Sequence, residues 1–365
     1  MRKLNVGARY ISPLFDNYYL NHASRVMSHA SKKLKTIKEK IMGKKIRIGF
    51  DLGGTKMLAA AYDDKFNKIC MLKRKSKGAN GQKEGVKRIV ETIDMMLADN
   101  KLEKKDIESI GLGIPGPIDP DKGIAINLPN MGWNMVEIEK LLQKEYDCNI
   151  KIINDVDAGT YAEYMFGAAK KAKCAVGIFP GTGIGGGCVI NGEVYEGKIS
   201  SMEIGHIKVE TPGRICGCGN YGCLETVASR LAIAGEVSKA AYRGQTPYIL
   251  KKTGTDIANI KSGVIASAID NGDKVVEQIV VDACNLLGSV AGSILVNLLS
   301  PDYIILGGGL VEAMPELFVK HIKASANKSC MQVYKDSFKV IAATLGDDAT
   351  VLGAAAWAIH AKKKS

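Results

Sequence analysis

From about residue 46 onward, apolar and polar positions alternate between short strand-like runs and longer helix-like segments. IRIGFDLGG, MLAAAYDD, ICMLKRKS, IESIGLGI and IKIINDVD are apolar runs bounded by glycine or polar residues, which predicts strands. The apolar spacing of GVKRIVETIDMMLADN predicts a helix, and VEIEKLLQKEY and AGTYAEYMFGAAK are interpreted as helices too. This alternation of strands and helices predicts an α/β fold with largely covered sheets.

A weak internal repeat runs through this α/β region. IRIGFDLGGTKMLAAAYD begins near Ile46 and CAVGIFPGTGIGGGCVING near Cys174, and each combines a strand, a glycine turn and a second strand. A third glycine turn, residues 307–309, follows the strand-like DYIIL. Glycine turns with one hydroxyl suit a phosphate, and strand ends of open α/β sheets are where ligands bind. We therefore predict two related lobes that share one ligand, although each turn taken singly is also compatible with a plain hairpin.

Two common nucleotide-binding motifs do not describe these turns. None has the P-loop form Gly-x4-Gly-Lys-Ser/Thr, and GTGIGG fits the dinucleotide fingerprint poorly. A P-loop is therefore excluded, and a dinucleotide-binding fingerprint is disfavoured.

Charge is unevenly distributed along the chain of 365 residues. The formal net charge is +12, and residues 1–47 hold twelve Lys or Arg against two acids. The rest of the chain is nearly balanced, so no nucleic-acid partner is expected for the body. Residues 1–45 are interpreted as a basic extension, either a poorly ordered tail or a lysine-rich helix, with an organelle transit peptide as the alternative.

The cysteines and the longest apolar segment bear on the compartment. Nine cysteines follow no disulfide framework and no secretory leader precedes them, which predicts reduced thiols in the cytoplasm. IVVDACNLLGSVAGSILVNLL contains Asp282, Asn285 and Asn297 and is followed at once by a strand pattern, so we expect a buried core helix and no transmembrane segment.

A cysteine-rich stretch, HIKVETPGRICGCGNYGCLE, predicts a metal site. His206, Cys216, Cys218 and Cys223 form a complete tetrahedral set for Zn²⁺. Four protein ligands leave no open position, which favours a structural zinc over a catalytic one. The stretch has no Cys-x-x-Cys pair, so a redox site is disfavoured; an unliganded loop is the alternative.

DLGGTK, GTGIGGG and the His/Cys stretch, in this order, resemble the ROK family of the actin-like ATPase superfamily. The resemblance covers the chain from about Lys45 to the C-terminus. It implies a duplicated actin-like (ribonuclease H-like) fold with two lobes around a nucleotide and sugar cleft, and a homodimer. The expected domains are a small lobe of residues 46–153 plus 347–365, to which a C-terminal helix returns, and a large lobe of residues 154–346.

The resemblance also implies an ATP site that works with Mg²⁺. Its first phosphate turn is Asp51, Gly53, Gly54, Thr55 and Lys56; its second turn is Gly181, Thr182 and Gly183; and Gly308 and Gly309 border the adenosine pocket. The carboxylate of Asp51 stands where it would engage Mg²⁺ through water. Pro180 departs from the family, which more often has a small polar residue there.

A hexose site and a general base are implied next to these turns. The positions that match sugar-binding residues are Gly116, Asn130, Asn154, Asp155, Glu203, His206 and Glu225. Strand alternation would place Asp155 and Asp157 on one face, so spacing alone does not choose between them. The resemblance selects Asp155 as the base, and Asp157 is expected to be a helix N-cap. Met202 replaces a glycine of many relatives.

The function expected from this site is transfer of a phosphoryl group from ATP to glucose, which gives glucose 6-phosphate. Kinases for N-acetylmannosamine, N-acetylglucosamine or fructose would use nearly the same frame. A sugar-responsive ROK repressor is the alternative of another class, but residues 1–45 show no helix-turn-helix pattern.

Overall fold

The computed structural model describes residues 45–76, 81–128 and 131–362, so most of the predicted N-terminal extension lies outside the described residues. The first half of the described chain contains β1 (Ile46–Leu52), β2 (Lys56–Tyr62), β3 (Lys68–Lys75), α1 (Gln82–Asp99), β4 (Ile107–Ile114), β5 (Ile118–Asp119), β6 (Ile124–Leu128), β7 (Trp133–Val136), α2 (Ile138–Leu142) and β8 (Asn149–Asn154).

These strands form one large sheet and one small sheet. The large sheet has the order β3-β2-β1-β4-β8, in which β1 pairs antiparallel with β2 and parallel with β4. The small sheet, β5-β6-β7, is antiparallel. Buried isoleucines, leucines and Phe50 of β1 and β4 form the core between the large sheet and α1.

The second half of the chain is richer in helices. It contains α3 (Asp155–Met165), β9 (Cys174–Pro180), β10 (Ile184–Ile190), β11 (Glu193–Val194), α4 (Glu225–Ala228), α5 (Arg230–Tyr242), α6 (Pro247–Thr253), α7 (Ser262–Asp270), α8 (Lys274–Val290), a π-helical stretch (Ala291–Val296), α9 (Asn297–Leu299), β12 (Tyr303–Leu306), α10 (Gly309–Ala313), α11 (Pro315–Ser329), β13 (Lys339–Ala342) and α12 (Ala349–Lys362). Short 3₁₀ turns lie at Lys104–Asp106, Ile204–His206, Ile257–Asn259, Gln332–Tyr334 and Gly346–Asp348.

The internal repeat of the sequence is confirmed by the sheet topology. The second large sheet has the order β11-β10-β9-β12-β13, which repeats the pairing of the first sheet strand for strand. The β9–β10 pair is antiparallel like the β1–β2 pair, and β12 is parallel to β9 as β4 is to β1. The two glycine turns therefore occupy equivalent positions in two copies of one architecture.

The predicted C-terminal helix lies directly on the first large sheet. A Cβ atom on Gly49 of β1 would lie 1.8 Å from the carbonyl oxygen of Val351, and one on Gly111 of β4 would lie 1.8 Å from that of Ala354. Only glycine allows this approach of α12 to β1 and β4. The chain from Ile46 onward forms one compact unit, and the domain boundaries within it stay a prediction.

The long apolar segment is a core helix, as the sequence predicted. By length and composition alone, the helix over Lys274–Leu299 could cross a membrane. However, 56% of its most apolar window is buried inside the protein, and its buried face belongs to the same core as Phe318 and Ile322 of α11.

Several predicted elements have different bounds in the structure, and two of these differences bear on the site. The helix predicted from VEIEKLLQKEY is confined to Ile138–Leu142. The strand predicted through Asp157 ends at Asn154, because the Asn154 side chain accepts the backbone N–H groups of Val156 and Asp157 at 2.8 and 3.3 Å. This is the geometry of a helix N-cap, and it starts α3 at Asp155.

Candidate active site

The first glycine turn joins β1 to β2 and is held from behind by Ser76. The buried Ser76 donates its backbone N–H to the carbonyl oxygen of Thr55 at 3.0 Å and its hydroxyl to that of Gly54 at 2.5 Å. The side chains of Thr55 and Lys56 are exposed. The turn is thus fixed through its carbonyl groups, and its hydroxyl and ammonium groups stay available to a ligand. Ser76 carries no motif, so sequence reasoning missed it.

The second glycine turn joins β9 to β10 and is held by a residue that was also missed, Arg230. Within the turn, the N–H of Gly181 donates to the carbonyl oxygen of Gly183 at 2.8 Å. From outside, Arg230 donates its backbone N–H to the Gly181 carbonyl at 2.9 Å and its Nη2 to the Thr182 hydroxyl at 3.0 Å.

The third glycine turn lies against the second. Gly308 has a φ of +85°, and a Cβ on it would lie 3.1 Å from the Pro180 carbonyl oxygen. Next to this turn is a cavity of about 290 Å³, lined by Leu306, Gly307, Val311, Glu312, Pro315, Ala342, Ala343, Thr344 and Gly346. Its position, at the carboxyl ends of β12 and β13, fits a nucleoside, since open α/β sheets bind ligands at these ends.

Asp155 lies close enough to Asp51 to raise the pKa of that acid. Burial, followed by the negative charges of Asp155 and Asp347, raises the pKa of Asp51 to about 7. Burial also raises the pKa of Asp155, against the lowering effect of backbone N–H groups. The end of β1 in the first sheet and the start of α3 therefore present their carboxyl groups to one site.

Asp155 and Asp157 do not share a face, in contrast to the sequence expectation. Both lie in the first turn of α3, where residues two positions apart point about 200° apart. Asp157 is 3% exposed, and burial raises its pKa well above the ordinary value. The expectation that Asp157 is an N-cap is wrong, because Asn154 takes that role.

A polar surface beside the second glycine turn, here called the polar wall, consists of Glu203, His206 and Glu225. A Cβ on Gly183 would lie 2.5 Å from Oε2 of Glu225, so this acid directly contacts the turn. Burial is the main cause of the raised pKa of Glu203; the charges of Asp155 and Glu225 also raise it, and His206 lowers it. The structure thus brings the predicted sugar-binding acids and the predicted base into one electrostatic cluster.

The segment that carries Gly116 is tied to the segment that carries Glu203. Ile118 donates its N–H to the Ser200 hydroxyl at 3.1 Å, and Ser200 returns its N–H to the Ile118 carbonyl at 2.9 Å. Gly116 itself has a φ of +79°, a conformation that favours glycine. Asn130, the other residue predicted in this region, lies outside the described residues.

Met202, at a position where the family resemblance leads us to expect a glycine, adopts a left-handed φ of +58°. This backbone conformation is the one that glycine adopts without steric cost, and it explains why a glycine is suited to this position. Met202 thus places a side chain larger than that of glycine in the sequence position before Glu203.

The ligand atoms of His206, Cys216, Cys218 and Cys223 all lie within 4.8 Å of one another. Cys216 Sγ is 3.5 Å from His206 Nδ1, and Cys218 Sγ is 3.7 Å from Cys223 Sγ. A tetrahedral zinc with Zn–S bonds of about 2.3 Å separates its sulfur ligands by roughly 3.8 Å. The donor set and its spacing therefore fit Zn²⁺. The Cys216 thiol also donates to Oε1 of Glu225 at 2.9 Å, which joins the cluster to the polar wall.

The two large sheets have equivalent strand orders, and a glycine turn follows the equivalent strands β1 and β9. This duplicated arrangement is the architecture of actin-like ATPases. The sequence comparison defines the group more narrowly. The chain belongs to the ROK family, whose model matches residues 47–361.

Individual relatives include kinases and repressors. A glucokinase of Thermotoga maritima is 32% identical over 317 residues, which are 84% of this chain and 95% of that protein. A xylose repressor of Caldicellulosiruptor bescii is 27% identical over 256 residues, which are 70% of this chain and 63% of the repressor. Among solved structures, a ROK family glucokinase from Streptomyces griseus in complex with glucose and AMPPNP has a TM-score of 0.75 and 26% identity, and covers 86% of this chain and 99% of its own.

Proposed function

We propose that this protein is a hexose kinase that transfers the terminal phosphoryl group of ATP to glucose and releases glucose 6-phosphate and ADP. The observation that carries the proposal is the contact between Gly183 of the second glycine turn and Glu225, in the same electrostatic cluster as Asp155 and Asp51. In this proposal, the second glycine turn binds phosphate, the polar wall binds the acceptor sugar, and Asp155 is the base of the same site. The match to a glucokinase over 95% of that protein's length supports the same reaction.

In the proposed step, Asp155 takes the proton of the attacking sugar hydroxyl. The hydroxyl oxygen forms a bond to the γ-phosphorus while the bond between that phosphorus and the bridging oxygen of ADP breaks. The raised pKa of Asp155 makes this carboxylate a stronger base than an exposed one. Mg²⁺ would bind near Asp51 and neutralise phosphate charge.

Other residues would orient the substrates. Oδ1 of Asn154 accepts the backbone N–H groups of α3, so its Nδ2 is the group left to donate to the sugar. Glu203, His206 and Glu225 would bind sugar hydroxyls, with the backbone at Gly116 and the side chain of Asn130. The two glycine turns, with Thr55, Lys56 and Thr182, would bind the phosphates, and Gly308 and Gly309 would border the adenosine.

A structural zinc at the Cys/His cluster is part of this proposal. The ion would fix the loop that ends at Glu225, and it would replace the bond between the Cys216 thiol and that acid. Nδ1 is the His206 ring nitrogen that faces the cluster, at 3.5 Å from Cys216 Sγ, so Nε2 is left to contact the sugar. Four protein ligands leave no open position, so the zinc would have no direct part in phosphoryl transfer.

We also propose that the enzyme works in the cytoplasm, as a homodimer. All nine cysteines lie in the described part of the chain and none of them forms a disulfide, which suits a reducing compartment. The dimer is an expectation from the family resemblance, and analytical ultracentrifugation of the full chain tests it.

An ADP-release assay with the full chain, ATP, Mg²⁺ and a panel of sugars tests the proposed reaction. We expect the highest kcat/KM with glucose, above fructose, N-acetylglucosamine and N-acetylmannosamine. A higher kcat/KM with one of the other sugars would identify that sugar as the preferred acceptor, and the protein would still be a sugar kinase. If no sugar gives ADP and the protein instead binds an operator sequence with a steep dependence on salt, the repressor is the correct function.

A further inference from the structure

Arg230 contacts the second glycine turn with both its backbone and its side chain. It is the first residue of α5, its N–H donates to the Gly181 carbonyl at 2.9 Å, and its Nη2 donates to the Thr182 hydroxyl at 3.0 Å. The guanidinium group is therefore placed on the one side chain of this turn that can bind a phosphate. A guanidinium has five N–H donors, and one bond to Thr182 leaves most of them unused.

The charge of Arg230 has no counter-ion within the described part of the chain. Ion pairs bring Arg47 to Glu108 at 2.9 Å, Arg214 to Glu236 at 3.1 Å and Arg74 to Glu91 at 3.7 Å. Among the described residues, no carboxylate oxygen lies within 4.0 Å of the Arg230 guanidinium, whose hydrogen bond is to a neutral hydroxyl. An unpaired cation on a phosphate-binding turn is suited to an anionic ligand.

Arg230 and Glu225 contact the same turn at different residues. Glu225 reaches Gly183, next to the acids proposed to bind the sugar, whereas Arg230 reaches Gly181 and Thr182. A phosphate bound on this turn would therefore lie next to the residues proposed to hold the acceptor hydroxyl. In a triphosphate that transfers its end group, this is the terminal phosphate.

We propose that Arg230 binds the terminal phosphate of ATP and stabilises the charge on the phosphoryl group in transfer. The proposal rests on the function proposed above and adds a residue to its site. Arginine pairs with phosphate through charge-assisted, often bidentate hydrogen bonds. Removal of one fully enclosed hydrogen-bond donor from a catalytic site typically lowers the rate by about 100- to 1000-fold. Residue 230 is only partly buried, so we expect loss of its guanidinium to lower kcat/KM by about 10- to 100-fold.

The test compares Arg230→Ala and Arg230→Lys with the control Arg243→Ala in the full chain. The alanine variant keeps the backbone N–H that donates to Gly181, so it removes the guanidinium and leaves the turn attached. Arg243 lies at the opposite end of α5, with an exposed side chain, and is about 20 Å away along the helix. Steady-state kinetics with ATP and glucose, and calorimetric binding of AMPPNP and of AMP, are measured for each protein.

Arg230→Ala is expected to lower kcat/KM for ATP by about 10- to 100-fold and to weaken binding of AMPPNP, with unchanged AMP binding and a KM for glucose within twofold. Arg230→Lys is expected to recover part of the loss, and Arg243→Ala to match the wild type. Unchanged AMPPNP binding in Arg230→Ala, or an equal loss for AMP, overturns the proposal. If the wild type binds nucleotide but phosphorylates no sugar, the proposed function fails, and the AMPPNP and AMP comparison still decides the role of Arg230. A wild type that binds neither nucleotide contradicts both.

Discussion

Replacement of Asp155 by asparagine removes the proposed base and little else. Oδ1 of Asp155 accepts the N–H of Val156 at 2.9 Å, and an asparagine carbonyl oxygen can accept the same bond. The N-cap of α3 belongs to Asn154, so the helix start does not depend on residue 155. The negative charge of Asp155 contributes to the raised pKa of both Asp51 and Glu203, so its removal lowers these two pKa values, while burial still raises them.

The expected result is a fall in kcat of about 10²- to 10⁴-fold, or about 3–5 kcal/mol in activation free energy, the range for a positioned base. The KM values for ATP and glucose are expected to stay within about threefold, since binding groups are retained. The acidic limb of the wild-type kcat profile against pH, where Asp155 takes up its proton, is expected to disappear. The assay is coupled ADP release from pH 5 to 9.

Asp157→Asn is the matched control, since it makes the same chemical change two residues further along α3. Asp157 is buried and its pKa is raised, so burial favours the neutral carboxyl group, which asparagine replaces with a neutral amide. Its kcat is expected to stay near the wild-type value. A kcat for Asp155→Asn within threefold of the wild type, or an equal loss in both variants, refutes the assignment of Asp155 as the base.

Three further outcomes are expected. Asp157→Asn is expected to stabilise the fold at neutral pH. The native pKa of Asp157 is raised above 3.8, so the wild type loses stability as the pH rises from about 4 through that native pKa. The gain in melting temperature of the variant over the wild type should therefore vanish near pH 4. Cys218→Ser lowers bound zinc, measured by atomic emission, and raises the KM for glucose more than that for ATP, whereas Cys330→Ser, outside the cluster, changes neither. Gly183→Ala displaces Glu225 and raises the KM for glucose several-fold, whereas Gly181→Ala, whose Cβ would meet no atom within 4 Å, leaves that KM near the wild type.

Each of these outcomes has a contrary result. A melting temperature gain for Asp157→Asn that is equal at pH 4 and pH 8 would show that the carboxyl is not protonated by burial. Full zinc content in Cys218→Ser would remove this residue from the ligand set. Equal KM values for glucose in Gly183→Ala and the wild type would show that the contact between Gly183 and Glu225 does not position this acid for the acceptor.

The sequence predicted the elements that repeat. The strand–turn–strand patterns near Ile46 and Cys174 predicted two equivalent hairpins, and the topology of the two large sheets confirms this duplication. The ligand spacing from His206 to Cys223 predicted a cluster whose atoms do come together. Both features follow from the spacing of residues within short segments, which can be read directly from the sequence.

The positions that sequence reasoning missed depend on contacts between distant residues. Ser76 reaches Gly54 across 22 residues, and Arg230 reaches Thr182 across 48. Neither belongs to a motif, and serine and arginine are common surface residues, so only the fold identifies them. The start of α3 was misplaced for a different reason: Asn154, interpreted only as a sugar ligand, also acts as the N-cap and rotates Asp157 away from Asp155.

The most direct measurement of the central claim is a single-turnover reaction of the full chain with ATP labelled at its terminal phosphate, Mg²⁺ and glucose. We expect the label to appear in glucose 6-phosphate, with one ADP for each labelled sugar, and Asp155→Asn to slow this transfer by at least about 100-fold. Label that stays in ATP or appears only in inorganic phosphate, while nucleotide and glucose both bind, would contradict the proposed phosphoryl transfer to glucose.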